Sequence, residues 1–76
     1  MYSWRAAANP GVCDRVDEMT VGGRKLGKLH YYEGVGYFAY FMETRLNTSP
    51  LRSLKAAMNL VHDAHRQWLA ERRRMA

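Results

Sequence analysis

Three histidines and one cysteine are the residues of this chain best suited to metal or nucleophilic chemistry. His62 and His65 are three residues apart, a spacing that on a helix can present two imidazoles to one metal ion. A complete site would also need His30 or Cys13 from elsewhere in the chain. Two candidate ligands do not define a site, so we favour a histidine at the edge of the core, His65, and a histidine at the surface, His62. The sequence therefore predicts no metal and no cofactor.

Catalytic signatures are absent from the sequence. The residues that flank Cys13 do not resemble a nucleophile loop, and a lone cysteine usually packs as a small apolar side chain. The glycines do not form a phosphate-binding loop, because no strand, glycine-rich turn and helix follow one another in that order. We therefore predict that the protein is not an enzyme.

A basic stripe on a predicted C-terminal helix, Leu51 to Arg74, is the strongest chemical feature. Residues 51–76 hold six of the twelve basic side chains and two of the seven acidic ones, so most of the net charge of +5 lies here. At about 100° per residue, one helix face is apolar and predicts packing on a core, with a substantially buried tryptophan; its residues are Leu54, Ala57, Met58, Val61, Ala64, His65 and Trp68. The neighbouring stripe contains no acid and predicts contact with an anionic partner; it consists of Arg52, Lys55, Asn59, His62, Arg66 and Arg73.

The segments before this helix predict a three-stranded antiparallel sheet. Gly22-Gly23 is a two-residue hairpin turn between strands at 18–21 and 24–32. A second glycine-rich turn at 33–36 precedes an aromatic strand at 37–46. The predicted fold is thus α+β, a three-stranded meander packed against one long C-terminal helix, in a single small domain, 1–76. Residues 1–11 are either a loose arm or a short extra strand.

The strand at 37–42 is apolar on both faces, which is typical of a central strand. The helix would cover one face. The other would be covered by the N-terminal segment with Tyr2 and Trp4, by a second copy of the protein, or by a partner. At the start of the helix, Ser49 before Pro50 is one candidate N-cap and Ser53 is the other.

Composition limits the setting of the protein. A chain of 76 residues that is 47% apolar is expected to fold around one small core, and a homodimer is one way to support it. A single cysteine forms no internal disulfide, which favours a reducing cytoplasm. The longest apolar run, 35–42, is too short to cross a bilayer, so we predict no membrane association.

Two parts of the chain resemble small accessory proteins of bacteriophages and mobile elements. The run 27–41, GKLHYYEGVGYFAYF, followed by 53–57, SLKAA, is similar to their pattern of strand, glycine turn, aromatic strand and helix. The resemblance implies a factor that acts in a bacterial host cell, either an anti-CRISPR-like inhibitor of a defence complex or a regulator of DNA transactions.

The outline of sheet and helix is also similar to the DNA-binding domains of some integrases and plant transcription factors, whose sheet enters the major groove. This chain departs from them because its cations lie mostly on the helix. The run 36–41, GYFAYF, invites comparison with the aromatic strand of RNA-recognition modules. Val35 stands where that motif has a basic residue, so core packing is favoured for most of these rings. An aromatic surface is still left for a partner.

The first hypothesis is a non-enzymatic accessory protein that occludes an acidic surface of a larger protein or nucleoprotein complex. The alternative is a small basic protein that binds nucleic acid directly. Both use the same predicted partner-binding residues, cations on the helix and tyrosines as anchors: Arg52, Lys55, His62, Arg66, Arg73, Tyr31, Tyr32 and Tyr37.

Overall fold

A computed structural model describes residues 2–46 and 49–75 as an antiparallel sheet with one helix packed on it. The elements are β1 (Tyr2–Ala6), β2 (Arg15–Val21), β3 (Arg24–Tyr32), β4 (Gly36–Phe41) and α1 (Leu54–Met75). The strands lie side by side in chain order. The α+β class and the C-terminal helix are confirmed, but the sheet has four strands and not three. No helix in these two ranges is long and apolar enough to span a membrane.

The additional strand is β1. It pairs with β2 from Tyr2 opposite Val21 to Ala6 opposite Asp17, so residues 2–6 form the short extra strand that was one of the two alternatives. Tyr2 and Trp4 point to the helix side, where they contact α1. Of the three candidates for covering the second face of the sheet, the N-terminal segment is therefore excluded, because it widens the sheet instead.

The hairpin between β2 and β3 is confirmed at Gly22-Gly23. Val21 lies opposite Arg24, and both turn glycines have positive φ, 57° and 82°. Positive φ at both central positions is the geometry of the type I′ turn, whose twist matches that of the strands it joins.

The core lies between α1 and one face of the sheet. A register shift between β2 and β3 leaves Leu26 without a direct partner, and its side chain joins the core. The buried cluster contains residues from β2, β3, β4 and α1: Met19, Leu26, Leu29, Ala39, Phe41, Ala57, Val61 and Ala64.

Helix α1 lies close to β3 at Gly27. A methyl group built on Gly27 would lie 2.5 Å from Cγ1 of Val61, a distance that no real side chain tolerates. Val61 itself is fully buried. The absence of a side chain at Gly27 therefore lets the helix, which packs mainly over β4, also lie close to β3.

Strand β4 is an edge strand rather than the central strand expected from its two apolar faces, and it ends at Phe41 instead of continuing to 46. Its outer edge is partly covered by Leu51, which exchanges two backbone hydrogen bonds with Tyr37, of 2.7 and 2.8 Å. Because this pairing keeps Leu51 extended, the helix begins at Leu54 and not at Leu51. Ser53 is the N-cap: its Oγ accepts a hydrogen bond from the amide of Ala56 at 3.2 Å.

The apolar face of α1 is narrower than its periodicity suggests. Ala57, Val61, Ala64 and His65 are buried, whereas Leu54, predicted to be buried, is 39% exposed. Trp68 is partly buried and packs against the core, as the sequence predicts, but it is not among the fully buried residues.

Trp68 is held by contacts on two sides. Its ring packs edge-on against Phe41, with 6.0 Å between centroids, and the guanidinium of Arg72 lies 4.6 Å from its ring centroid. The last six residues of α1, 70–75, are exposed. The arginines of the final turn lie at the negative end of the helix dipole, where cations are stabilising.

An aromatic and histidine cluster fastens β1 to α1. The ring of His62 stacks on Tyr2, 4.1 Å between centroids, and its Nε2 accepts a hydrogen bond of 2.8 Å from the indole of Trp4. The Tyr2 hydroxyl lies 3.0 Å from Nδ1 of His65. Burial lowers the pKa of both histidines below the ordinary value, and the nearby Arg66 lowers that of His62 further. Both rings are therefore neutral at neutral pH.

We predict that Gly27→Ala destabilises the protein by about 1 to 3 kcal/mol, because the added methyl overpacks the contact with Val61. Val61→Ala alone is expected to cost about 2 kcal/mol through lost packing. The double variant should be no less stable than Val61→Ala, since the smaller side chain makes room for the methyl. Urea unfolding of the four proteins gives the coupling energy, and additive effects would show that α1 does not rest on Gly27.

We also predict that the free energy of unfolding decreases as the pH is lowered from 7.5 to 5.5. The histidine pKa values are lower in the folded state than the unfolded value of about 6.5, so below that pH the unfolded chain binds more protons. The loss begins near pH 6.5 and continues down to the folded-state pKa values. In His62→Gln, whose side-chain oxygen can still accept from Trp4, urea midpoints at the two pH values should differ less than in the parent. Equal differences would exclude His62 as a source of the effect.

Candidate functional site

The face of the sheet opposite α1 carries a mixed cationic and aromatic surface. One row of cross-strand neighbours runs over all four strands, from Arg5 to Glu18, Lys28 and Tyr40. Because paired residues in an antiparallel sheet lie on the same face, these four side chains share the side that the helix leaves uncovered. We call the cationic and aromatic residues on this side the open sheet face: Arg5, Lys25, Lys28, His30, Tyr32, Phe38 and Tyr40.

Aromatic rings occupy the β3 and β4 side of the open sheet face. Tyr32 and Phe38 pack edge-on with centroids 5.6 Å apart, and His30 lies 4.7 Å from Tyr40. Tyr32, Phe38 and Tyr40 line, together with Val35, an apolar recess of about 370 Å³. Tyr40 is 46% exposed and Val35 is 55% exposed. This is the most aromatic accessible surface among the described residues.

A polar recess of about 220 Å³ lies on the β1 and β2 side of the same face. It is lined by two cations, two hydroxyl side chains and one acid: Ser3, Arg5, Glu18, Thr20 and Lys25. Lys25 and Glu18 form an ion pair of 3.5 Å. Arg5 and Lys28 form no ion pair within the described residues, so the open sheet face has an excess of positive charge.

Another concavity, of about 590 Å³, is lined by residues 40–46. These are consecutive residues of one chain segment, so the concavity is the inner side of a bend and not a convergence of several elements. We therefore do not assign a site to it.

Cys13 and His30 meet at the margin of the open sheet face, a contact that the sequence did not single out. Cys13 Sγ lies 3.4 Å from His30 Nδ1. The interaction of the same Cys13 thiol with the Tyr32 hydroxyl raises the pKa of Tyr32. Burial, and then Lys28, lower the pKa of His30, so its ring is neutral. Cys13 itself is only 8% exposed. A substrate has little access to this thiol, and the contact supports the floor of the aromatic surface.

The helix cations predicted to bind a partner are not equivalent. Arg52, Lys55 and Arg73 are exposed and form no ion pair among the described residues. Arg66 is bound to Asp63 by a bond of 2.8 Å, so the stripe has an acidic neighbour that its helical periodicity did not reveal. His62 lies against Tyr2 and Trp4 rather than free at the surface.

The three tyrosines predicted as anchors do not converge on one surface. Tyr31 and Tyr37 are half-buried cross-strand neighbours, 4.7 Å between ring centroids, on the helix side of the sheet. Tyr32 lies on the opposite face, beside Phe38. The helix stripe therefore has no aromatic anchor from Tyr32.

The histidines and the cysteine are also divided by the sheet. His62 and His65 lie on the helix side, whereas His30 and Cys13 lie on the other. Across residues 2–46 and 49–75, no three His, Cys, Asp or Glu side chains come close enough to hold one metal ion.

Sequence reasoning missed the open sheet face as a unit. The alternation in 37–42 does place Phe38 and Tyr40 together on one side. The missing information was that Arg5 belongs to a fourth strand, and that no helix or strand within residues 2–46 and 49–75 covers this side.

Comparisons of the chain with protein-family models, with curated proteins and with solved structures gave no match. The proposals that follow are therefore based on the residues and their geometry.

Proposed function

We propose that this protein is a non-enzymatic nucleic-acid-binding protein that contacts its ligand through the open sheet face. One observation carries the proposal: cations from β1 and β3 lie in the same uncovered surface as the exposed ring of Tyr40. Cations neutralise phosphates, and rings provide apolar contact with bases.

The charge of the open sheet face supports a polyanionic ligand. Arg5, Lys25 and Lys28 face one acid, Glu18. The ion pair of Lys25 with Glu18 is long and its lysine is 64% exposed, so it contributes little to stability and can be exchanged for a phosphate contact. Two cations of this face, Arg5 and Lys28, form no ion pair within the described part of the chain.

A binding role also agrees with the chemistry of the remaining groups. The Cys13 thiol is buried and its neighbour His30 is neutral. The buried acid, Asp17, is held by Arg15 in an ion pair of 3.1 Å. Binding through charge and aromatic contact needs none of these groups to react.

A second candidate is an accessory protein that occludes a larger host complex, as anti-CRISPR proteins do. The exposed cations Arg52, Lys55 and Arg73 favour it, since they form no ion pair among the described residues and could meet an acidic protein surface. It ranks second because the three predicted anchors do not share one surface: Tyr31 and Tyr37 lie on the helix side of the sheet, and Tyr32 lies on the other face. Both candidates act in the cytoplasm, in a bacterial host cell if a phage encodes the protein.

We predict that Arg5→Gln with Lys28→Gln weakens nucleic-acid binding at least tenfold, because two phosphate contacts are removed. The slope of log affinity against log salt should become shallower by about 1.5, since each neutralised phosphate contributes about 0.7 to 0.9. Fluorescence anisotropy with labelled oligonucleotides at 50 and 150 mM salt measures both quantities.

The matched control is Arg52→Gln with Lys55→Gln, which removes the same charge from the helix. It should change binding less than threefold. A larger loss in the helix variant than in the sheet variant would move the contact to the helix stripe. The absence of binding to any DNA or RNA at 50 mM salt would contradict the proposal. It would favour the second candidate, in which the partner is a protein.

A further inference from the structure

The exposed side chain of Tyr40 and the apolar recess beside it specify what kind of nucleic acid fits the open sheet face. We infer that this face binds single-stranded nucleic acid and stacks unpaired bases on Tyr40 and in the recess beside Phe38. This inference rests on the proposed function and narrows its ligand class.

The first argument is the position of Tyr40. The residue is 46% exposed and lines the apolar recess together with Tyr32, Phe38 and Val35. The neighbouring His30 is neutral and lies 4.7 Å from the Tyr40 ring, which supports that ring from the side. Exposed rings over a supported floor provide flat apolar surfaces, and every base has a face that can stack on them.

The second argument is the distance between ring and charge. Lys28 is the direct cross-strand neighbour of Tyr40, so their Cβ atoms are about 4.5 to 5.5 Å apart. A nucleotide whose base stacks on Tyr40 therefore has its phosphate within reach of the Lys28 ammonium. Further along the same row, Arg5 and the polar recess with Lys25 continue the positive path towards β1.

The width of the sheet disfavours the alternative in which it enters a duplex. Four strands span three spacings of about 4.8 Å, or about 14 Å between the outer backbones, whereas the major groove is about 12 Å wide. In a duplex the bases are also stacked on each other, so Tyr40 and Phe38 would meet no free base face. A single strand laid across the sheet has no groove into which the sheet must fit, and its unpaired bases are free to stack on Tyr40 and Phe38.

A second copy of the protein is a poorer occupant of this face. Two copies packed face to face would bring Arg5, Lys25 and Lys28 of each close to those of the other, with Glu18 as the acid within the face. Like charges at an interface oppose association. A strand of phosphates instead complements all three cations.

The test compares binding of a labelled 12-nucleotide dT strand with binding of a 12-base-pair duplex to the full chain and its variants. The single strand should bind at least tenfold more tightly at equal salt. Tyr40→Leu, which keeps an apolar side chain but removes the ring, should weaken binding of the single strand by about five- to a hundredfold, the effect expected for one stacked base. Binding of the duplex should change less than twofold.

Tyr40→Phe is the matched control, because it keeps the ring and removes only the hydroxyl. It should bind the single strand within threefold of the parent protein. Circular-dichroism melts of both variants should stay close to that of the parent, since the side chain of Tyr40 lies at the surface.

Two outcomes would overturn the inference. In the first outcome, the strand and the duplex bind with equal affinity, Tyr40→Leu changes neither affinity, and Arg5→Gln with Lys28→Gln abolishes both. This result would exclude base stacking and leave the proposed function intact. A concentration-dependent dimer in sedimentation experiments, abolished by Tyr40→Leu, together with no binding of either oligonucleotide, would assign the face to a second copy and remove the proposed function as well.

Discussion

Val61 rests directly on Gly27, and this contact limits how closely the helix can approach β3. With no side chain at Gly27, the helix lies close enough for Ala57 and Ala64 to be buried one turn to either side of Val61. Small residues at these positions keep the layers close together. The core is consequently thin, and it is built from medium-sized side chains such as Met19 and Leu29.

A thin core on one side leaves the other side of the sheet to a different purpose. One helix covers one face, and the residues described after β4 are used to pair Leu51 with its edge and to form that helix. The loop before β2 contributes the buried Cys13 at the margin of the other face. The rest of that face remains accessible to water. It carries cations at one end and the aromatic side chain of Tyr40 at the other. An accessible aromatic surface beside cations is the part of this fold that packing does not explain.

Much of this arrangement could be predicted from local signals. The Gly22-Gly23 turn specifies its hairpin because both positions need positive φ, and the helical periodicity places Ala57, Val61 and His65 on the buried side. The predictions that were wrong depend on pairing between distant residues. β1 contains only two large apolar residues, and its position next to β2 follows from Tyr2 and Trp4 meeting His62 across the fold. A five-residue strand has too little periodicity to reveal such a contact.

The candidate site shows the same limit. Charge counting directs attention to the helix, since half of the basic side chains lie in its segment of the chain. Yet four of these cations have local explanations: Arg66 binds Asp63, Arg72 lies over Trp68, and Arg73 and Arg74 lie in the last turn, where the helix dipole favours cations. Arg52 and Lys55 have no such contact among the described residues.

Lys28 has no such explanation, because it forms no ion pair within the described residues and stands directly opposite the exposed Tyr40. A cation beside an exposed ring in the middle of an uncovered sheet does little for the stability of the fold. Under the proposed function, Lys28 and Tyr40 together meet a ligand that brings negative charge and a flat apolar ring within one short unit.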